Sequence, residues 1–186
     1  MKWKEAMDEE VDSFTNFGAY RVKREADARA AGKQILTCRW IYKRKIQKDG
    51  SVGRYRARLV ARGFEQRDGD SYDSHSIHSP VVSKDGLRMM LSLAAGHNMR
   101  LHQLDVSAAF LQAPLDSPLY MYPPRGFEKY CKAGDVLELH SATYGLKQGS
   151  SAFFAALKLH LCGEGNRSCN DIAAYLNEDP NTGSHT

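Results

Sequence analysis

The chain has 186 residues, of which 42% are hydrophobic, 10% aromatic and 26% charged, with a formal net charge of +4. That length holds one domain, or one and a half subdomains of something larger, and the balance excludes wholesale disorder. The four cysteines (Cys38, Cys131, Cys162 and Cys169) form no C-x-x-C pair, no signal or transit peptide is recognisable, and no apolar run approaches the ~20 residues of a membrane span, so the expectation is an intracellular protein with reduced thiols and no membrane partner.

Apolar residues at Trp3, Ala6, Met7, Val11 and Phe14 recur at helical spacing and predict a short amphipathic helix that stops near Gly18. Residues 23–33 are polar and Ala-rich without a clear core face and read as a linker or loop. Residues 38–46 (CRWIYKRKI) and 54–64 (RYRARLVARGF) are rich in β-branched and aromatic residues and flank Asp49-Gly50, which together predict a β-hairpin. After a polar stretch, Ser83 reads as an N-cap with Asp85 in the first helical turn, Leu87, Met90, Leu91 and Ala94 on one face, and Gly96 as a stop. Residues 101–106 (LHQLDV) read as a strand and residues 108–112 as a helical turn that Pro114 ends. Residues 119–122 and 136–139 read as short strands, and residues 150–162 as a helix with Phe153, Ala156, Leu157 and Leu161 on one side. The tail is polar, with one apolar patch at residues 172–176. The expected fold class is α+β with mostly antiparallel strands; the lack of βαβ alternation and of a Gly-rich phosphate loop leaves a Rossmann or P-loop reading little support.

Three features bear on chemistry. Between Arg39 and Arg67 the hairpin carries Lys43, Arg44, Lys45, Lys48, Arg54, Arg56, Arg58 and Arg62 against only Asp49 and Glu65. Alternation puts Arg54, Arg56 and Arg58 on one face, with Arg62 joining if the strand stays regular. Guanidiniums in a row repel unless an anion neutralises them, so the row serves either a polyphosphate or nucleic-acid backbone, or a solvated face that discourages edge pairing. Asp105 ends an apolar strand and is either a metal ligand or the cap of the turn that follows. A single carboxylate is too few for two-metal phosphoryl transfer, and Asp135, Glu138 and Asp171 are partners by number only. The loop Tyr144-Gly145-Leu146-Lys147-Gln148-Gly149-Ser150 opens onto a helix and either faces an anion with its amides or is a plain loop capped by Ser150. His75 and His78 have zinc-like spacing but no matching second pair.

Taken together, three stretches resemble the reverse transcriptase domain of Ty1/copia-type retrotransposon Pol polyproteins. They are RWIYKRKIQKDGSVGRYRARLVARGFEQRDGDSYD, SPVVSKDGLRMMLSLAAGHNMRLHQLDVSAAFLQAPLDSPLYMYPPRGFE and YGLKQGSSAF, in the family's order and at about its spacing. The resemblance implies an RNA-directed DNA polymerase with a right-hand fold, using an RNA template, a DNA primer and deoxynucleoside triphosphates, and working beside other Pol segments in the cytoplasmic particle or the nucleus. It implies fingers over about residues 1–82 and part of the palm over about 83–176, followed by a polar tail at 177–186. By the same resemblance Asp105 is the first catalytic aspartate and holds both Mg2+ ions. Phe110 blocks a ribose 2′-OH, the amides of Ala108 and Ala109 face the triphosphate, Arg56, Arg58 and Arg62 grip its phosphates, and Gln148 contacts the nucleotide sugar and the template side.

Two departures qualify the resemblance. Where the family continues Ala-Pro-Arg-Ala-Trp after the glutamine, this chain has Gly149, Ser150, Ser151, Ala152 and Phe153. The family's Tyr-Val-Asp-Asp motif does not occur in the 186 residues, so the expected metal site is incomplete and the chain by itself is expected to be inactive. The readings that compete with a polymerase fragment are a nucleic-acid-binding module without catalysis and a transposon remnant without function.

Overall fold

The computed structural model describes residues 2–162. The elements are α1 (Lys2–Asn16), β1 (Tyr20–Arg24), α2 (Glu25–Ala30), β2 (Ile35–Leu36), β3 (Cys38–Ile46), β4 (Val52–Ala61), α3 (Lys84–Gly96), β5 (Pro114–Met121), β6 (Asp135–Ser141) and α4 (Gly149–Cys162), with 3-10 turns at Gly63–Glu65 and Ala109–Gln112. The fold is mixed α and β with antiparallel sheets, as expected, apart from a two-residue parallel pairing of β2 with β5. The described residues divide into two compact units, one formed by residues 2–78 and 108–153 and the other by residues 79–107 and 154–162.

In the first unit α1 forms where the Ala6, Val11 and Phe14 stripe has a core to enter. It stops at Gly18, whose left-handed φ of 60° lets Gly18 N–H reach Thr15 O and Ala19 N–H reach Phe14 O, the paired bonds that close a helix C-terminus. The four-stranded sheet has the order β1-β6-β5-β2. Its inner strand β6 buries Val136, Leu137 and Leu139 completely, and Leu137 and Leu139 join Phe14, Leu36, Leu59, Met121 and Phe127 in one apolar cluster. Strands β3 and β4 form the second sheet, an antiparallel hairpin whose register runs from Cys38↔Ala61 to Ile46↔Val52. Leu59 and Ala61 of β4 enter the same cluster, which ties the hairpin to the larger sheet.

The structure corrects the sequence reading in several places. Residues 23–33 are not a linker: they hold the end of β1 and all of α2. That short helix is fixed by a tertiary partner, because Glu25 accepts from Tyr122 Oη at 2.8 Å and Arg29 Nη2 donates to the same hydroxyl at 2.9 Å. Strand β4 ends at Ala61 rather than Phe64, and the chain turns into the 3-10 segment at Gly63. Pro114 does follow a helical turn, but it also opens β5, a first-residue position where the missing N–H removes no interior ladder bond. Cys38 and Cys131 are free thiols; burial pushes Cys38 up to about 11, and its Sγ sits 3.3 Å from Tyr122 O.

In the second unit α3 begins as expected, with Ser83 Oγ accepting from Gly86 N–H at 3.0 Å. On the face expected to carry Leu87, Met90, Leu91 and Ala94, Ala94 is buried and Met90 half-buried, whereas Leu87 and Leu91 are exposed. Residues 101–106 form no strand and are all exposed. A strand exists only as part of a ladder, and among the described residues no segment pairs with this one. Asp171 and the apolar patch at 172–176 lie outside the described residues. No described helix is long and apolar enough to cross a membrane.

Candidate functional site

The hairpin register sorts its side chains onto two faces of opposite character. Trp40, Tyr42, Tyr55, Ala57 and Leu59 share one face. Trp3 of α1 meets Tyr42 and Tyr55 edge-on, with ring centroids at 5.1 and 4.6 Å, and Ala57 and Leu59 are buried. The other face pairs Ile41 with Arg58, Lys43 with Arg56, and Lys45 with Arg54. These six residues line an open groove of about 300 Å³. The sequence expectation of an arginine row on one face holds for Arg54, Arg56 and Arg58, and the structure adds two lysines directly opposite. Like charges placed opposite each other in a ladder destabilise it. Heads 5 Å apart in water would repel by about 0.8 kcal/mol per pair. The face is tolerated because the aromatic side is anchored by α1.

Acidic residues of α1 moderate this field. Glu9 pairs with Arg54 at 2.9 Å, an exposed contact worth at most about 1 kcal/mol. Glu10 Oε1 accepts the Leu59 N–H at 3.1 Å, satisfying a donor on the open edge of β4. Burial raises the Glu10 pKa above the ordinary carboxylate value, while the Leu59 N–H, Arg58 and Arg56 pull it the other way.

Along the same edge Ala61 N–H donates to Tyr144 O at 2.8 Å. This brings the loop before α4 against the end of β4. The approach depends on two glycines. A Cβ on Gly145 (φ 91°) would lie 2.1 Å from Ala61 O, and one on Gly63 would lie 1.9 Å from Gly145 O. The close approach sets the Tyr144 ring under the Arg58 guanidinium, 4.8 Å from the centroid, and edge-on to Phe110 at 5.0 Å. Phe110 also meets Phe153 at 6.3 Å, and a Cβ on Gly149 would lie 3.8 Å from its ring. Phe110 rides the 3-10 turn that starts after Ala108, itself in the left-handed region at φ 50°, ψ 38°. Arg58, Ala108, Ala109 and Phe110, separated by up to 52 residues, therefore belong to one neighbourhood organised by Tyr144.

Gln148 sits beside this cluster in a polar network. Its Oε1 accepts from Gln66 Nε2 at 2.9 Å, and its Nε2 donates to Ser71 O at 3.0 Å. Gln66, which is 4% exposed, also donates from Nε2 to Ser71 O and accepts the Lys147 N–H on Oε1 at 2.9 Å. Lys147 Nζ reaches Tyr72 Oη at 2.9 Å and lies 4.0 Å from that ring's centroid. The loop 144–150 is thus held from both ends rather than open. Ser150, one of its expected readings as a cap, is exposed at the start of α4.

Other expected residues fall elsewhere. Because β4 stops at Ala61, Arg62 does not line the groove; it is exposed and 4.0 Å from Glu65. Asp105 belongs to the second unit and is exposed. Of the candidate second carboxylates, Asp135 accepts the Lys132 N–H and pairs with Arg24 at 3.5 Å, and Glu138 bonds Tyr120 and His140. Both are engaged in the sheet. No group of three or more His, Cys, Asp and Glu side chains among the described residues is placed to hold a metal ion, so Asp105 alone does not fit a two-metal centre. Tyr144 and Gln66 were missed as site residues. Tyr144 opens a polar loop and Gln66 follows a basic strand, and neither position carries a periodic signal.

The family model described as "Reverse transcriptase (RNA-dependent DNA polymerase)" matches residues 22–175. The chain is 40% identical over 149 residues to a retrovirus-related Pol polyprotein from transposon TNT 1-94 of Nicotiana tabacum, a match covering 80% of this chain and 11% of that protein. It is 41% identical over 127 residues to the Pol polyprotein from transposon RE2 of Arabidopsis thaliana, covering 68% and 9%. It is 32% identical over 161 residues to the transposon Ty1-NL1 Gag-Pol polyprotein of Saccharomyces cerevisiae, covering 86% and 9%. The chain thus spans about a tenth of the length of these relatives. No solved structure matches it.

Proposed function

The chain belongs to the reverse transcriptase (RNA-dependent DNA polymerase) family in its Ty1/copia type, and from that premise we propose that it serves RNA-directed DNA synthesis as one segment of a longer Pol polyprotein. In this reading residues 1–82 are the fingers and 83–176 part of the palm. Arg56 and Arg58 take nucleotide phosphates, and Arg62 acts from outside the groove. The amides of Ala108 and Ala109 face the triphosphate, Phe110 screens the sugar, and Gln148 contacts it. Asp105 corresponds to the first carboxylate of the family's metal site, which the described residues do not complete.

One observation carries the proposal. The basic groove ends at Arg58, and Arg58 shares the Tyr144 ring with Phe110. A guanidinium of the basic groove and a ring able to crowd a sugar therefore both contact one aromatic side chain.

A second reading, nucleic-acid binding without catalysis, is supported by the groove itself. From Arg54 to Arg58 it runs four residues of strand, about 14 Å at strand rise. That matches an extended backbone bearing more than one phosphate.

Both readings share a test. Fluorescence anisotropy of a labelled RNA–DNA primer–template, titrated with the full chain, is expected to show binding that falls steeply with salt. Arg56→Glu with Arg58→Glu is expected to weaken it at least tenfold. Binding unchanged by salt and by the double substitution would sink the groove as the site. Primer extension with Mg2+ by the 186-residue chain alone is expected to show no deoxynucleotide incorporation under either reading, and robust incorporation would overturn that expectation.

A further inference from the structure

We propose that Gln66 is a positioning residue: it fixes which way the Gln148 carboxamide points, so that Gln148 offers an N–H, not a carbonyl oxygen, to a nucleotide sugar oxygen.

The direction of the amides follows from backbone groups that have no choice of role. The Lys147 N–H can only donate, so the Gln66 atom 2.9 Å away must be its oxygen. That turns Gln66 Nε2 toward Ser71 O, which can only accept, at 3.0 Å. The second hydrogen of Gln66 Nε2 then points at Gln148, which must meet it with Oε1, at 2.9 Å. Gln148 Nε2 is left facing the same Ser71 carbonyl at 3.0 Å. Every flip in the pair is excluded by a donor facing a donor or an acceptor facing an acceptor. Only one of the two Gln148 N–H groups is used on Ser71, the acceptor it has among the described residues.

The frame that holds this relay is rigid. Gln66 and Ser71 are 4% and 5% exposed. Ser71 Oγ bonds Gln34 Oε1 at 3.1 Å and accepts the Arg67 N–H at 2.8 Å. Glu65, next to Gln66, accepts Thr37 N–H at 2.7 Å and Thr37 Oγ1 at 2.5 Å. Gln148 is only half-buried and precedes Gly149, which lies against Phe110. A donor oriented by buried groups on a half-buried side chain is preorganised for an acceptor ligand, since little freedom remains to be lost on binding. The ligand half of this inference rests on the nucleotide-site reading above; the orientation half does not.

The test separates the two halves. Gln66→Glu keeps an oxygen for the Lys147 N–H and removes the Nε2 donor that faces Gln148 Oε1. In 15N-labelled full chain, the Gln148 side-chain amide protons are expected to give a dispersed, slowly exchanging pair. In Gln66→Glu they are expected to collapse to the shift and exchange rate of an exposed glutamine, with the Lys147 backbone amide still protected. An unchanged Gln148 pair would overturn the positioning role. Affinity for dTTP is expected to fall about tenfold in Gln66→Glu, the effect of one lost oriented hydrogen bond, with affinity for inorganic tripolyphosphate unchanged. An equal loss for both ligands means the loop has collapsed, and overturns the role. Gln148→Met, at a half-buried position, is expected to show the same dTTP loss, and adding Gln66→Glu to it no further loss; additive losses would overturn the proposal. Failure of the unsubstituted chain to bind dTTP would sink the nucleotide-site reading and with it the ligand half, while the amide spectra still decide the orientation.

Discussion

The hairpin β3–β4 and residues 101–106 look alike as sequence: both are short runs of β-branched, aromatic or apolar residues. Only the first is a strand pair. The hairpin carries its own partner a turn away, and Asp49 helps close that turn by accepting the Ser51 N–H at 2.9 Å while Gly50 takes φ 82°. It also has Trp3 and the rest of α1 to cover its apolar face. Residues 101–106 have no pairing partner among the described residues, and Leu104 is 78% exposed. A strand is thus decided less by its own composition than by whether a ladder and a covering layer are available.

The sharpest way to break the hairpin side of this contrast is Gly145→Ala. The substitution meets Ala61 O and requires φ 91° of a residue with a Cβ, so a loss of about 3 kcal/mol or more is expected in urea unfolding, with loss of the Arg58–Tyr144 contact. A smaller effect is expected where α1 covers the hairpin. Trp3→Ala removes two edge-on ring contacts and part-buried apolar area, about 2 kcal/mol, whereas Leu104→Ser is expected to change stability by less than about 0.5 kcal/mol. Equal costs for the two would erase the contrast. The smallest effect is a pH dependence. The Glu10 pKa is raised on folding, chiefly by burial, so the folded chain holds its proton more tightly than the unfolded one and Glu10 favours folding more as pH falls. Glu10→Gln keeps an acceptor for Leu59 N–H, so it is expected to be slightly more stable than the parent at pH 7, with the gap closing below the ordinary carboxylate pKa. A gap that widens in acid would show that the Arg56 and Arg58 attraction outweighs burial.

Much of the scaffold was legible in the residues. The α1 stripe, its Gly18 stop, the hairpin around Asp49-Gly50, the Ser83 cap and the helix after Gly149 all rest on local chemistry, and each is present. What misled was local patterning without its partner. Residues 23–33 looked like a linker because the Tyr122 hydroxyl that pins Glu25 and Arg29 is more than 90 residues away. The α3 stripe was periodic, yet Leu87 and Leu91 stay exposed. For the site, strand alternation was enough to align Arg54, Arg56 and Arg58, but extending it to Arg62 failed where the chain turned at Gly63.

From residue order alone came the family, the basic face and the list of polar groups able to meet a phosphate, because period-two alternation and motif spacing are properties of neighbours along the chain. The junction of Arg58, Tyr144 and Phe110, and the Gln66 amide that orients Gln148, were settled only by folding. They depend on two glycine backbones approaching within van der Waals limits and on hydrogen bonds that cross some 80 residues of sequence, distances over which no local preference acts.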